Sequence, residues 1–134
     1  MSCHKIALFG EAEKGDFCTP LVVSHLSFLA DVLGHPPEGS NGLHVAIQTL
    51  IFQKDVIYVR VKKEGFSPQD YERGLHELKQ NKELYLLSAV CMPGMGDCEI
   101  INQALELCQL HKALFMTSEK DFYDYMTAFN FSPS

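Results

Sequence analysis

Apolar and polar positions change period repeatedly along this chain, and each change marks an expected element. Lys5 to Phe9 is a nearly continuous apolar run closed by Gly10, the pattern of a strand covered on both faces. Thr19-Pro20 then reads as a helix N-cap followed by proline at the first helical position. Val22, Leu26, Leu29 and Leu33 recur at helical spacing up to Gly34. After the turn His35 to Asn41, a second helical stripe runs through Leu43, Ile47, Leu50 and Ile51. Asp55 to Val61, rich in β-branched and aromatic residues, predicts a second strand. Ser67-Pro68-Gln69-Asp70 is a strong helix start, with Tyr71, Leu75 and Leu78 on the buried stripe.

Leu84 to Cys91 predicts the third strand. Met92-Pro93-Gly94-Met95-Gly96-Asp97 leads from it into a helix carrying Ile100, Ile101, Ala104, Leu105 and Cys108. Ala113 to Thr117 predicts a fourth strand, and Ser118-Glu119-Lys120-Asp121 opens a last helix with Phe122, Tyr125 and Phe129. Strands and helices taking turns imply a parallel sheet covered by helices. The expected fold is therefore α/β, a three-layer flavodoxin-like or Rossmann-like domain over residues 1–134 with a four-stranded parallel sheet. Right-handed crossovers favour the strand order 2-1-3-4.

Composition narrows the partners. The chain has 134 residues, 46% hydrophobic and 21% charged, an ordinary balance for one core. A formal charge of −6 offers phosphate backbones no basic face, which argues against nucleic acid. No basic segment with an apolar signal core precedes the first strand, and no apolar run is long enough to span a membrane. Cys3, Cys18, Cys91, Cys98 and Cys108 form no CxxC pair and suit a reducing compartment, so a cytoplasmic protein is expected.

In a sheet of this kind ligands bind beyond the carboxyl ends of the strands. That expectation gathers Gly10, Glu11, Glu13, Lys14, Gly15 and Asp16 with Pro93 to Asp97, and both with Thr117 to Asp121. The candidate ligand-binding residues are Gly10, Glu11, Lys14, Gly94, Gly96, Asp97, Glu99, Thr117 and Lys120. The acids Glu11, Glu13, Asp16, Asp97, Glu99, Glu119 and Asp121 suit magnesium, a hard cation. Acids also gather at helix N-termini simply to meet the macrodipole. The glycines of Gly10-x4-Gly15 and Gly94-x-Gly96 could admit a phosphate to backbone amides, or could serve tight turns. Asp97 is placed to cap the following helix and so compete with a phosphate there. Neither a P-loop nor a dinucleotide fingerprint is present, and no cofactor is implied. Cys91 could be a nucleophile at a strand end, or a core thiol without a base. The scattered histidines His4, His25, His35, His44, His76 and His111 show no HxxxH or HExxH spacing, so no transition-metal site is expected.

Met92-Pro93-Gly94-Met95-Gly96-Asp97-Cys98-Glu99-Ile100-Ile101 resembles the segment after the phosphorylation site of two-component receiver domains. Lys5 to Phe9 with Glu11, and Phe115-Met116-Thr117-Ser118, are similar to the first and fourth receiver strands. The resemblance implies a flavodoxin-like fold. Ala89 stands at the phosphoacceptor position and Gly10 at that of a magnesium acid, so a receiver relative of this kind would be degenerate and without phosphotransfer. Pro93-Gly94-Met95-Gly96-Asp97 with Glu99 also resembles the PGGxGT loop of lysine-decarboxylase-like (LOG/SLOG) nucleotide-binding proteins. The chain further resembles small proteins of intracellular bacteria, through Gly10 to Phe17 and Thr117 to Asp121, a likeness that implies no activity.

Three functions are expected from these residues. The first is a non-catalytic module binding a small phosphorylated or nucleotide-like ligand, or a protein partner, through Glu11, Lys14, Gly94, Gly96 and Lys120. The second is an enzyme acting on a nucleotide or glycoside, with Glu11 or Glu99 as acid or nucleophile and Asp97 or Asp121 orienting the substrate. The third is self-assembly as a homodimer through the aromatic segment Phe122, Tyr123, Tyr125, Phe129 and Phe131.

Overall fold

The computed structural model describes residues 4–131. Five strands and five helices follow in the order β1 (Lys5–Gly10), β2 (Leu21–Val23), α1 (Leu26–Leu33), α2 (Gly42–Ile51), β3 (Val56–Arg60), α3 (Pro68–Gln80), β4 (Leu87–Cys91), α4 (Cys98–His111), β5 (Leu114–Met116) and α5 (Glu119–Phe131). The α/β class is as expected, and the four strands expected to be parallel pair in parallel in the expected order. The sheet itself differs: it is five-stranded and mixed, ordered β2-β3-β1-β4-β5, with β2 antiparallel to β3.

The additional strand takes the first part of the helix expected from Thr19. Leu21, Val22 and Val23 pair with Tyr58, Ile57 and Val56. Their burial has period two, because Val23 is fully buried while Val22 is 41% exposed. Two adjacent β-branched residues after a proline hold extended backbone more readily than helix. The helix proper starts only at Leu26. At the other end, Leu84 and Tyr85 belong to a turn, and β4 begins at Leu87, shorter than expected.

Each face of the sheet carries its own core. Ile6, Leu8, Tyr58, Ala89 and Cys91 pack with Leu29, Leu33, Leu43, Ala46, Phe122 and Met126 from α1, α2 and α5. On the opposite face Ala7, Phe9, Ile57, Val59 and Val90 pack with Tyr71, Leu75, Leu78, Ile100, Ala104 and Leu107 from α3 and α4. This alternation along β1 and β3 is what a doubly covered central strand requires. Helices leave β1 toward one face and β3 and β4 toward the other, so the topological switch point lies between β1 and β4.

Cys18, Cys91, Cys98 and Cys108 are free thiols; Cys3 lies outside the described residues, as do the side chains of Glu119, Phe129 and Phe131. Among the described residues no helix is long and apolar enough to cross a membrane.

Candidate functional site

The carboxyl ends of the strands divide into a closed corner and an open groove. The corner begins with two glycines. Gly10, at the end of β1, and Gly42, the first residue of α2, approach so closely that a Cβ on either would lie 2.7 Å from the other's Cα. Only glycine at both positions allows this contact. Glu64, from the β3–α3 loop, then fills the space beside them. Its Oε2 accepts from the backbone N–H of Gly42 at 2.7 Å and of Glu11 at 2.9 Å, and its Oε1 accepts from Asn41 N–H at 2.8 Å.

Those donors explain why a carboxylate sits there. Asn41 makes no side-chain cap bond, which leaves the amides at the start of α2 without a local acceptor. Glu64 supplies one from 22 residues away, and its negative charge favours the positive end of the helix. Glu11 returns the bond: its Oε2 accepts from Glu64 N–H at 3.0 Å, and its carbonyl accepts from Tyr58 Oη at 2.8 Å. Burial, with Glu64 next in effect, pushes the Tyr58 phenol well above its ordinary range.

The expected site acids Glu13 and Asp97 are used in the same way, as is Asp70 outside the expected site. Glu13 Oε1 accepts from His35 N–H at 2.9 Å. Asp97 caps α4 as expected, its Oδ1 accepting from Glu99 and Ile100 N–H at 2.9 and 3.3 Å. Asp70, in the first turn of α3, accepts from Lys62 N–H at 2.8 Å. Each carboxylate therefore ties a loop or a helix end to the scaffold. Among the described residues no group of three His, Cys, Asp or Glu side chains is placed to hold a metal ion.

The open groove lies between the β3–α3 and β4–α4 loops, which meet across the end of β1. Gly65 (φ 81°) packs on Gly94, whose carbonyl oxygen would lie 2.6 Å from a Cβ at Gly65. Gly65 N–H donates to Tyr71 Oη at 2.8 Å, and the Tyr71 ring stacks on Phe9 with centroids 5.4 Å apart. Beyond that contact Gly65, Phe66, Pro68, Gly94, Met95, Gly96 and Asp97 line a cavity of about 480 Å³. Phe66 is 72% exposed, and a Cβ at Gly94 or Gly96 would meet nothing within 4 Å. Lys63 Nζ lies 6.0 Å from the Phe66 ring centroid.

The structure thus brings Gly94, Gly96 and Asp97 together on the groove. Thr117 joins them through its carbonyl, which accepts from Gly94 N–H at 3.0 Å. Gly10 and Glu11 belong to the closed corner. Lys14 is elsewhere: its N–H donates to Leu33 O, at the end of α1, and Glu13 N–H shares that acceptor. Glu99 is exposed in the first turn of α4, and Lys120 pairs with Asp124 at 3.2 Å along α5. Ser118 caps α5 by accepting from Asp121 N–H at 3.1 Å. Cys91 is fully buried within β4 in the core. Glu64, Gly42 and Phe66 are the residues that sequence reasoning missed. An uncapped Asn41-Gly42 helix start was the one local hint that an acceptor must come from elsewhere.

No protein-family model matches the chain, and neither a curated protein nor a solved structure is significantly similar to it.

Proposed function

We propose that the protein is a non-catalytic binding module for a small phosphorylated or nucleotide-like ligand, held in the groove between the β3–α3 and β4–α4 loops. The observation that carries this reading is the joint lining of one groove by exposed Phe66 and by Gly94 and Gly96, beside which the space is open. An aromatic ring offers a flat stacking surface to a base, with Lys63 beside it. Glycine backbone lets a phosphate approach closely. The groove's volume is that of a small-molecule site, and it adjoins the strand ends where such sheets bind ligands.

The non-catalytic part of the reading is supported by the strand-end carboxylates. Glu11, Glu64 and Asp97 hold backbone amides rather than converging on a bond to be broken. The parallel strands β3-β1-β4-β5 carry the order of a flavodoxin-like sheet, which supports the fold that the receiver resemblance implies. Free cysteines, three of them buried, support a reducing compartment such as the cytoplasm.

A thermal-shift screen against nucleotides, sugar phosphates and ADP-ribose, with and without magnesium, tests the reading, because a ligand of the folded state raises Tm by mass action. The expected result is a rise abolished by Phe66→Ala or Gly94→Val. A dependence of that rise on magnesium would make the cation part of the ligand. No shift with any of these compounds would overturn the small-ligand reading in favour of a protein partner.

A further inference from the structure

A further cavity lies away from both the corner and the groove. It is a cleft of about 760 Å³ between the loop Phe17–Thr19 and the outer face of α3, where Arg73, His76 and Glu77 line the opposite wall. Cys18 lines the cleft in a left-handed backbone conformation (φ 59°), which is uncommon outside glycine. Cys18 N–H donates to Arg60 O at 2.8 Å, which fixes the loop against the end of β3. Burial first, and then the Asp70 carboxylate, push the Cys18 thiol upward, while Arg73 and Lys62 oppose them. A thiol so placed stays protonated at neutral pH and serves as lining.

Phe17 is 42% exposed and lines the cleft, with the Arg60 guanidinium 4.0 Å from its ring centroid. The other wall carries two unpaired charges. Arg73 and Glu77 stand four residues apart, the spacing at which an ion pair could form, yet among the described residues neither side chain makes a hydrogen bond or ion pair. Their neighbours are engaged: Glu72 accepts from Gln103 at 3.3 Å, and His76 Nε2 lies 3.2 Å from Gln80 Nε2.

From this arrangement we infer that the cleft is a second binding site, for a small zwitterion of α-amino-acid type with a flat apolar side chain. The carboxylate pairs with Arg73, whose planar fork suits it, and the ammonium pairs with Glu77. Both charges of an α-amino acid sit on one carbon, a span that side chains one helical turn apart, about 6 Å, can bracket. The side chain packs on the exposed part of the Phe17 ring. This site goes beyond the proposed function, because none of the cleft residues lines the groove at Gly94.

Amide NMR of the full chain titrated with L-phenylalanine tests the inference. Saturable shifts are expected at Cys18, Thr19, Arg73 and Glu77, with affinity about tenfold weaker for L-phenylalaninamide, which lacks the carboxylate, and for Arg73→Ala. Glu77→Ala should erase the preference for L-phenylalanine over N-acetyl-L-phenylalanine. Both positions are exposed, so the fold should survive either change. The inference is overturned by the absence of saturable shifts up to about 10 mM ligand, or by shifts that Arg73→Ala leaves unchanged.

Discussion

The closed corner and the open groove share one edge of the sheet and nearly the same inventory, glycines and an acid at the start of a helix, yet only one of them is available to a ligand. At the corner, Glu64 reaches across from another loop and takes the amides of Glu11, Asn41 and Gly42. At the groove, Asp97 serves only the helix that follows it, Gly94 N–H is taken by the Thr117 carbonyl, and the space beside Gly94 and Gly96 is open. What separates an open groove from a structural joint here is not residue type. It is whether a side chain from another loop has filled the space beside the glycines, as Glu64 does at the corner.

The largest effect should come from adding a side chain where the corner has no room. Gly42→Val places carbon against Gly10 and Glu64, and should cost about 3 kcal/mol in urea unfolding, or abolish folding. Glu64→Ala comes next. It leaves the converging amides to water, and should cost about 2 kcal/mol, with Glu64→Gln recovering part of the loss. A Glu64→Ala protein as stable as wild type would erase the distinction between the two regions.

High pH sharpens the comparison further, since each region leans on one tyrosine. Tyr58 at the corner and Tyr71 behind the groove both have phenols raised above 10.0 by burial. Folded chains keep these protons while unfolded chains release them near pH 10. Stability is therefore full below pH 10 and falls as pH rises beyond it, by at most about 1.4 kcal/mol per pH unit for each group. Tyr58→Phe should flatten the fall in Tm between pH 10 and 11, with tyrosinate absorbance as the readout. Asp97→Ala should cost about 1 kcal/mol, the worth of one N-cap, and leave the corner intact. Gly96→Ala should stay within about 0.5 kcal/mol of wild type, since its Cβ meets nothing. A larger loss would show that the groove is less open than its geometry.

Local chemistry explains which parts of this architecture were legible beforehand. Ser67-Pro68, Asp97 and Ser118 mark their helices, and the apolar runs at Lys5 to Phe9 and Asp55 to Val61 hold β1 and β3. Even there a detail changed: Ser67 makes no side-chain cap bond, and its hydroxyl instead accepts from Lys63 N–H at 3.2 Å. Strand β2 was hidden because Val22, Leu26, Leu29 and Leu33 happen to fall at helical spacing across a strand and a helix. The β4–α4 side of the groove was legible, through Gly94, Gly96 and Asp97, because one loop holds all three. Glu64 was not, because its partners lie 22 to 53 residues away and no periodicity links a loop acid to amides at that distance.

Glu64 also gives the corner a kinetic signature. The amides of Glu11 and of the adjacent Asn41 and Gly42 answer to one carboxylate, although they come from two distant stretches of chain. Their protons should therefore exchange with deuterium through one shared opening, at nearly equal rates, as both ends of a knot slacken together. Such closure waits on pairings of long sequence separation, so it completes late, after β1 has found β3.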